Sequence, residues 1–493
     1  MIFALAIFTS LLFRTKDISI QELELSSRFF GQDRSVRAAG EEQEELGVEE
    51  GQDGLTRASE AGEDGGMLVE GPQKDWGFGD LSDEELTDEA LDAILKSDWV
   101  YDEENEDTSI PDRGDYRELF SLTTHDRRFF PIFHEKGSIY DPTILPHPAR
   151  YDVWIIVAQN QYPNSGQTIC QSGFLNGILI CDPLERQLLP IQKSSVKGAC
   201  SNEIEKIRDD TRPHDARMFY GPDIPYILYA APSHITCYNE RLQDGRRLLS
   251  PFAIGQHSGQ QAFKTPMELH KPAPYKSLEK NHFLFWDLEG KTYVHHDLYP
   301  ERVFAELDID GSVGANLASI AMTRDQLCMA KFLPRLDDPA FESIQQATNS
   351  LSLTLCKRKD PFCKPTASNT YLAHIFHVAS TYDDHLIQEP YMLLFEQTAP
   401  FALAAISQRP YWIHGRDVLS ANSSSMRYFN RPEEIPEGHT ERFGVTGMSW
   451  KTHGQKYHGH IDDVLLLSLG IEDSRAGGID VLAGDLVEDL AFC

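Results

Sequence analysis

The hydrophobic and polar positions divide the chain into two regions. After an apolar run at 1–13, the chain up to about residue 117 is poor in aromatic residues and rich in acids and Gly. Beyond it, short runs of aromatic and β-branched residues alternate with loops rich in Gly, Pro, Asn and Asp. Such runs, separated by turn residues, are typical of β-strands. The pattern predicts an all-β domain over 118–493 and no long amphipathic helix.

A loose repeat organises the all-β region. A polar or charged cluster precedes an aromatic-rich hairpin about five times, beginning near residues 141, 215, 280, 389 and 449. Radial repetition of four-stranded sheets gives a β-propeller, in which the innermost strand of each blade delivers polar residues to a central pocket. The repeat is too irregular for a WD40-type array. We therefore predict a five-bladed β-propeller, with a multi-sheet β-sandwich as the alternative.

The region before the predicted propeller has two parts. Residues 1–16 are expected to form a signal peptide or signal-anchor, because the apolar run is shorter than the roughly 20 residues of a bilayer span. This permits membrane anchoring through the N-terminus. Residues 17–117 are predicted to be a disordered acidic stem, since their composition cannot bury enough apolar surface to fold. Ser82 and Glu85 form a capping-box pattern that predicts a short helix near 83–96.

Charge and cysteines restrict the partners and the compartment. The chain carries a formal net charge of −32, and residues 41–112 hold 26 acidic residues against three basic ones. That segment would repel nucleic acid. Eight cysteines without a C-x-x-C spacing favour disulfides in an oxidising compartment over a zinc site. Cys356 and Cys363 bracket a turn that a disulfide could close, and Asn422 lies in a glycosylation sequon. We expect the secretory pathway, in the Golgi lumen or membrane, or secretion.

Candidate chemistry lies in the polar clusters. They are "YDPTILPHP" (140–148), "HDARMF" (214–219), "EKNHFLFWD" (279–287), "EPYMLLFEQ" (389–397) and "SWKTHGQKYHGHIDD" (449–463). Each alone is typical of a solvated loop, but at equivalent blade positions they would converge on one axis. Carboxylates and amides bind sugar hydroxyls, carboxyl groups move protons, and cationic side chains bind phosphate. The clusters therefore favour a site for sugars or sugar phosphates.

In this order, the segments resemble those of five-bladed β-propeller carbohydrate-active enzymes, the mannoside phosphorylases and β-mannosyltransferase-like proteins. "HDARMF" resembles their Glu-Asp-Pro-Arg segment, with His214 and Ala216 in place of Glu and Pro. "EKNHFLFWD" is similar to their Lys-Asn-Trp segment, with His282 in place of Trp, and "GQKYHGHIDD" to their Tyr-His-Gly segment. The apolar N-terminus and acidic stem look most similar to fungal β-mannosyltransferase-like secretory proteins.

The resemblance implies an enzyme that moves mannose, with inversion, from a nucleotide sugar such as GDP-mannose to a glycan or glycoprotein acceptor. Asp215 would be the catalytic acid or base, and Asp141 and Glu389 are further candidate catalytic carboxylates. The candidate substrate-binding residues are Arg217, Lys280, Asn281, Trp286, Trp450, Tyr457, His458 and Asp462. No metal and no cofactor beyond the donor is expected. The alternatives are a hydrolase or phosphorylase acting on mannosides, and a non-catalytic glycan-binding propeller.

Overall fold

The computed structural model describes residues 115–161, 166–184, 189, 213–233, 235–249, 252, 263–382, 385–419 and 439–493. The predicted leader, nearly all of the acidic stem with its helix near 83–96, and the sequon at Asn422 lie outside these ranges. Strands dominate the described residues, which contain two α-helices. None of the helices in these ranges is long and apolar enough to cross a bilayer.

The first three blades follow one another along the chain after two short strands, β1 (Arg117–Leu119) and β2 (Phe130–His134). Blade I contains β3 (Ile139–Pro146), β4 (Trp154–Asn160), β5 (Gln167–Leu175) and β6 (Ile178–Pro183). Blade II contains β7 (His214–Tyr220), β8 (Pro225–Pro232), β9 (Tyr238–Asp244) and β10 (Met267–Glu268). Blade III contains β11 (Phe283–Trp286), β12 (Thr292–Asp297) and β13 (Val303–Glu306), after which helix α1 (Ala318–Phe332) leads to blade IV.

Blade IV begins with a divided innermost strand. Its halves, β14 (Glu342–Gln346) and β15 (Leu351–Thr354), both pair with β16 (Thr370–Tyr382). The sheet continues through β17 (His385–Glu396) and β18 (Leu403–Ser407), and the separate β19 (Tyr411–Ile413) pairs with β1. Blade V contains β20 (Phe443–Trp450), β22 (Val464–Ile471) and β23 (Arg475–Leu482), while β21 (His458–His460) pairs with β15. Helix α2 (Ala483–Val487) and β24 (Leu490–Phe492) follow, and β24 pairs with β18.

An early strand closes the ring. Phe130 of β2 pairs antiparallel with Gly478 of β23, while Ile132 of the same strand pairs parallel with Leu179 of β6. Strand β2 thus supplies the fourth strand of blade V and joins it to blade I. A Cβ at residue 478 would lie 2.6 Å from the ring of Phe130, so the contact requires glycine. The predicted five-bladed β-propeller is confirmed, and the alternative β-sandwich is wrong.

Aromatic side chains fill the space between blades III and IV. The ring of Phe285 meets Phe304, Phe395 and Phe401 edge-on, with centroids 5.3–5.8 Å apart. All four side chains are buried. Burying one side chain of this kind stabilises the fold by roughly 1.5–3 kcal/mol. The aromatic-rich runs of the sequence therefore form the packing between blades.

Two of the five predicted blade starts are wrong. Residues 141 and 215 fall at the starts of the innermost strands β3 and β7, and residue 280 falls just before the innermost strand β11, as predicted. Residue 389, however, lies in the third strand of blade IV, and residue 449 lies at the end of β20. The sequence pattern does not predict the innermost strand of blade IV, because this strand is polar and divided: "ESIQQATNSLSLT" (342–354). Helix α1 was also unexpected, since its exposed side includes the apolar Ile320 and Leu327.

Disulfides connect elements within and beyond the blades. Cys170–Cys181 spans the β5–β6 hairpin, and Cys356–Cys363 closes the turn as predicted. Cys328–Cys493 joins α1 to the end of the chain. Cys237 is disulfide-bonded as well, and the described residues include no free cysteine. This cysteine usage is compatible with a secreted or lumenal protein.

Candidate active site at the propeller axis

Three polar residues occupy the same strained position in successive blades. Asp141 and Asp215 lie at the starts of β3 and β7, and Asn281 lies two residues before β11; their φ values are 46°, 52° and 63°. Pairing with the next strand is interrupted at the first two of these positions. Left-handed backbone costs free energy in residues other than Gly, although Asp and Asn tolerate it better than most. Strain repeated at matching positions indicates a site that the fold is built to support.

Arg217 connects the polar groups across the axis. Its Nη2 donates a hydrogen bond of 3.0 Å to Oδ1 of Asn281 in blade III. Its charge also acts on Asp141 in blade I and on His377 in blade IV. The side chain is half-buried, and among the described residues it forms no ion pair at contact distance, although its charge also acts on the buried carboxyl group of Glu240. Arg217 therefore offers a positive charge to a ligand at the centre of the ring.

Asp141 is the most perturbed carboxyl group of the cluster. Burial raises its pKa to about 7; Arg442 opposes the rise, and Asp473 and Asp215 add to it. Desolvation and nearby negative charges both disfavour the ionised form of a carboxyl group. Asp215, by contrast, has an exposed side chain. The two neighbouring carboxyl groups thus differ in environment, which is how one site can hold an acid and a base together.

Blade V contributes Arg442 and Asp473. Arg442 precedes β20 and forms an ion pair with Asp473, which lies in the tight turn between β22 and β23. Its backbone N–H donates to Oε1 of Glu472 at 2.9 Å, and its Nε donates to Oε1 of Gln388 at 3.3 Å. Burial raises the pKa of Asp473, while Arg442 opposes this shift. The axis therefore carries a second guanidinium that is already neutralised by a carboxylate.

Sequence reasoning missed this contribution. "ERFGVTGMSW" (441–450) has the charged pair Glu441 and Arg442 directly before an apolar strand. The bulge between Val445 and Gly447 breaks the alternation of apolar and polar positions. The His-rich stretch at 449–463 instead indicates a site at the C-terminal end of β20, whereas Arg442 lies at its N-terminal end.

The structure brings four of the predicted site residues together: Asp141, Asp215, Arg217 and Asn281. Lys280 precedes Asn281 and its side chain is exposed. These residues are the first group of the predicted site, and they come from blades I, II and III.

Glu389 is not part of this group. Its carboxylate accepts two hydrogen bonds, of 3.0 and 2.9 Å, from the guanidinium of the buried Arg416. Successive side chains of a strand point to opposite faces of the sheet. The neighbouring Gln388, and not Glu389, consequently contacts Arg442.

The remaining predicted residues lie at the other ends of the strands: Trp286, Trp450, Tyr457, His458 and Asp462. Trp286 ends β11, and the five residues from Asn281 span about 17 Å of extended chain. Its ring is 3% exposed and packs against Tyr226 and Tyr457, so it is part of the core. Trp450 is equally buried, and its Nε1 donates to the carbonyl oxygen of Tyr457 at 3.2 Å.

The polar members of this second group have structural partners. Nε2 of His458 and Oγ1 of Thr354 are hydrogen-bonded at 2.8 Å. Asp462 accepts a hydrogen bond of 2.6 Å from the backbone N–H of Arg358. These contacts join blades IV and V. The sequence pattern predicts this group beside Asp215, because the polar cluster at residue 449 looks like the start of a blade.

In the described ranges, no group of three or more His, Cys, Asp or Glu side chains is arranged to hold a metal ion. The fold and the axial cluster define a five-bladed β-propeller whose centre carries carboxyl groups, guanidinium groups and an amide. No protein-family model matches the chain, and no curated protein matches it.

Three solved structures illustrate its similarities. A mannose phosphorylase from Leishmania mexicana, in complex with phosphate ion, is 9% identical, with a TM-score of 0.38 over 74% of this chain and 92% of that one. A β-1,2-mannobiose phosphorylase from Listeria innocua is 10% identical, with a TM-score of 0.34 over 75% and 96%. A GDP-Man-dependent mannosyltransferase from Leishmania mexicana is 9% identical, with a TM-score of 0.34 over 72% and 89%. Similarities this low assign neither a family nor an activity.

Proposed function

We propose that the chain is a glycosyltransferase that moves mannose from a nucleotide sugar, GDP-mannose, to a hydroxyl group of a glycan or glycoprotein. One observation carries the proposal. Two carboxyl groups in different environments, Asp141 and Asp215, lie beside Arg217, whose guanidinium is hydrogen-bonded to Asn281 and forms no ion pair at contact distance among the described residues. Carboxyl groups can bind sugar hydroxyls and transfer protons, and a guanidinium without an ion-pair partner can bind phosphate.

The reaction assigned to these groups is a single displacement. The acceptor oxygen attacks the anomeric carbon, the bond from that carbon to the diphosphate oxygen breaks, and the electron pair leaves with the diphosphate. Asp215 takes the proton of the acceptor hydroxyl, because its exposed carboxylate can reach an incoming substrate. Arg217 and Lys280 bind the diphosphate, while Asp141 and Asn281 bind sugar hydroxyls. The configuration at the anomeric carbon is inverted.

A mannoside hydrolase or phosphorylase is the second candidate, and the pKa of Asp141 favours it. A carboxyl group that holds its proton up to about pH 7 can protonate a leaving glycosidic oxygen. Asp215 would then activate the attacking water or orient the attacking phosphate. Transfer from a nucleotide sugar needs no such acid, because a diphosphate leaves without protonation.

Saturation-transfer NMR on the full-length protein separates these functions. We expect signals from GDP-mannose and GDP, their loss in Arg217→Ala, and transfer of mannose to a mannoside acceptor. The control is Asp223→Asn, an exposed turn residue of the same blade. Turnover of mannosides with water or phosphate, but none with GDP-mannose, would establish the second candidate. Binding of glycans without any turnover would instead make the protein a glycan-binding propeller.

We also propose a location in the secretory pathway, in the Golgi. The disulfides of the described residues support an oxidising compartment. Co-localisation of the tagged full-length chain with a Golgi marker tests this, together with alkaline extraction to test membrane anchoring. Recovery of the intact protein from the medium alone would contradict both.

A further inference from the structure

The peptide groups around Asn281 are held from two neighbouring blades. The backbone N–H of Asn281 donates to Oε1 of Glu240 at 3.0 Å, and that of His282 donates to Oε2 at 2.9 Å. On the other side, the carbonyl oxygen of Asn281 accepts a hydrogen bond of 2.7 Å from Nε2 of Gln346. Glu240 belongs to β9 of blade II and Gln346 to β14 of blade IV. The backbone at the start of blade III is therefore hydrogen-bonded to both neighbouring blades, an arrangement called here the clasp.

Both clasping side chains are themselves fixed. Glu240 is 3% exposed and Gln346 is 7% exposed. Nε2 of Gln346 also donates to the carbonyl oxygen of His296 at 3.0 Å, and its Oε1 is hydrogen-bonded to Nδ1 of His295. Ordered side chains of this kind can impose a backbone geometry without losing much further entropy.

The clasped residue needs such support. Asn281 has a φ of 63°, a left-handed conformation that residues other than Gly seldom adopt, although Asn does so more readily than most. Such strain persists where the surroundings over-determine the conformation. The side chain of Asn281 then accepts the single hydrogen bond that the described residues provide for Arg217, at 3.0 Å. The geometry of the guanidinium thus depends on a backbone conformation set by other residues.

We infer that Glu240 and Gln346 are positioning residues that hold Asn281, and through it Arg217, in the geometry that binds the phosphate of the donor. The inference rests on the proposed function, which assigns phosphate to Arg217. It adds two residues that contact no substrate.

The test compares Glu240→Gln with the matched variant Glu279→Gln in the full-length protein. Glu279 is buried two residues before Asn281 and accepts hydrogen bonds from Lys271 and from the backbone N–H of Lys276. It contacts the ring of His282, but the backbone N–H groups of Asn281 and His282 donate to Glu240 and not to it. An amide at position 240 would turn an NH₂ donor towards a backbone N–H. The backbone of Asn281 would lose one of its two hydrogen bonds to the neighbouring blades, so we expect a loss of donor affinity on the order of tenfold.

Two measurements report on the mechanism. With ¹⁵N-labelled Asn and His, the amide proton signals of Asn281 and His282 should move upfield in Glu240→Gln. The Asn281 signal should stay in place in Glu279→Gln, because Glu279 contacts the ring of His282 and not the backbone of Asn281. Titration with inorganic phosphate and with GDP-mannose should show the weaker binding in Glu240→Gln alone. If the donor is turned over, KM should rise about tenfold with kcat changed less than about twofold, as expected for uniform binding.

A double-mutant cycle with Asn281→Gly decides the route. Glycine adopts the left-handed conformation freely but lacks the amide that contacts Arg217. In that background Glu240→Gln should weaken phosphate binding no further. Additive losses would overturn the inference, as would unchanged amide signals in Glu240→Gln. A wild-type protein that binds neither probe would contradict the proposed function. The amide signals would still show whether Glu240 accepts hydrogen bonds from the backbone of Asn281 and His282. If Glu240→Gln does not fold, Gln346→Leu provides the same cycle.

Discussion

Gly470 lies directly against Asp141: a Cβ at position 470 would overlap with Oδ1 of that carboxyl group. The second strand of blade V therefore covers the acid of blade I, and only glycine leaves it room. We expect Gly470→Ala to displace the side chain of Asp141, to lower turnover by at least about tenfold, and to destabilise the fold by about 1–3 kcal/mol.

Activity assays and urea unfolding of the variant check this prediction. The control is Gly314→Ala, because a Cβ at that exposed position meets nothing within 4 Å and the backbone is not left-handed. Wild-type activity in Gly470→Ala would mean that the position of Asp141 is not critical.

Asp215→Asn should abolish most turnover while leaving the fold intact. Loss of a general base typically costs 10²–10⁴-fold in rate, so a decrease of at least about 100-fold is expected. The side chain is exposed, and asparagine tolerates the left-handed backbone, so the unfolding midpoint should not change. Asp223→Asn serves as the control. Full turnover by Asp215→Asn on the true substrate would remove Asp215 from the mechanism.

Asp141 should make stability depend on pH. Its pKa is higher in the folded state, about 7, than its ordinary value of 3.8, so the folded protein holds a proton that the unfolded chain has lost. This contribution is fully present below about pH 3.8 and is lost as the pH rises through about 7. Relative to Asp141→Asn, the wild type should thus lose stability as the pH rises from about 3.8 to about 7, and no further above that. Urea unfolding of both proteins across this range measures the difference, and parallel curves would contradict the assignment.

The disulfides should contribute unequally to stability. The chain-entropy relation gives about 5 kcal/mol for a sequence separation of 165, as in Cys328–Cys493, and about 2 kcal/mol for one of 7, as in Cys356–Cys363. Replacing the first pair by serine should therefore lower the free energy of unfolding by the larger amount. Denaturant unfolding of the two double variants measures this. A larger loss from the Cys356–Cys363 pair would contradict the prediction.

The sequence reveals the first three blades because each begins with a polar residue and an apolar run, as at Asp141, Asp215 and Asn281. It does not reveal Arg442, whose strand is interrupted by a bulge, or Gln346, whose strand is polar and divided. Glu389 looks equivalent to the other acids, yet strand alternation turns it towards Arg416. Trp286 and Trp450 are predicted to bind substrate, but long-range packing places them in the core. Such relationships depend on contacts between distant parts of the chain, which a local pattern does not encode.

The closure of the ring by β2 bears on how the protein is made. Phe130 pairs with Gly478, which is synthesised about 350 residues later, and only then does blade V have its fourth strand. At a synthesis rate of about 5–20 residues per second, β2 spends roughly 20–70 seconds without this partner. Through that interval an apolar strand edge stays open to pairing with other chains. We therefore expect the nascent strand to be exposed to wrong pairing until blade V has been synthesised.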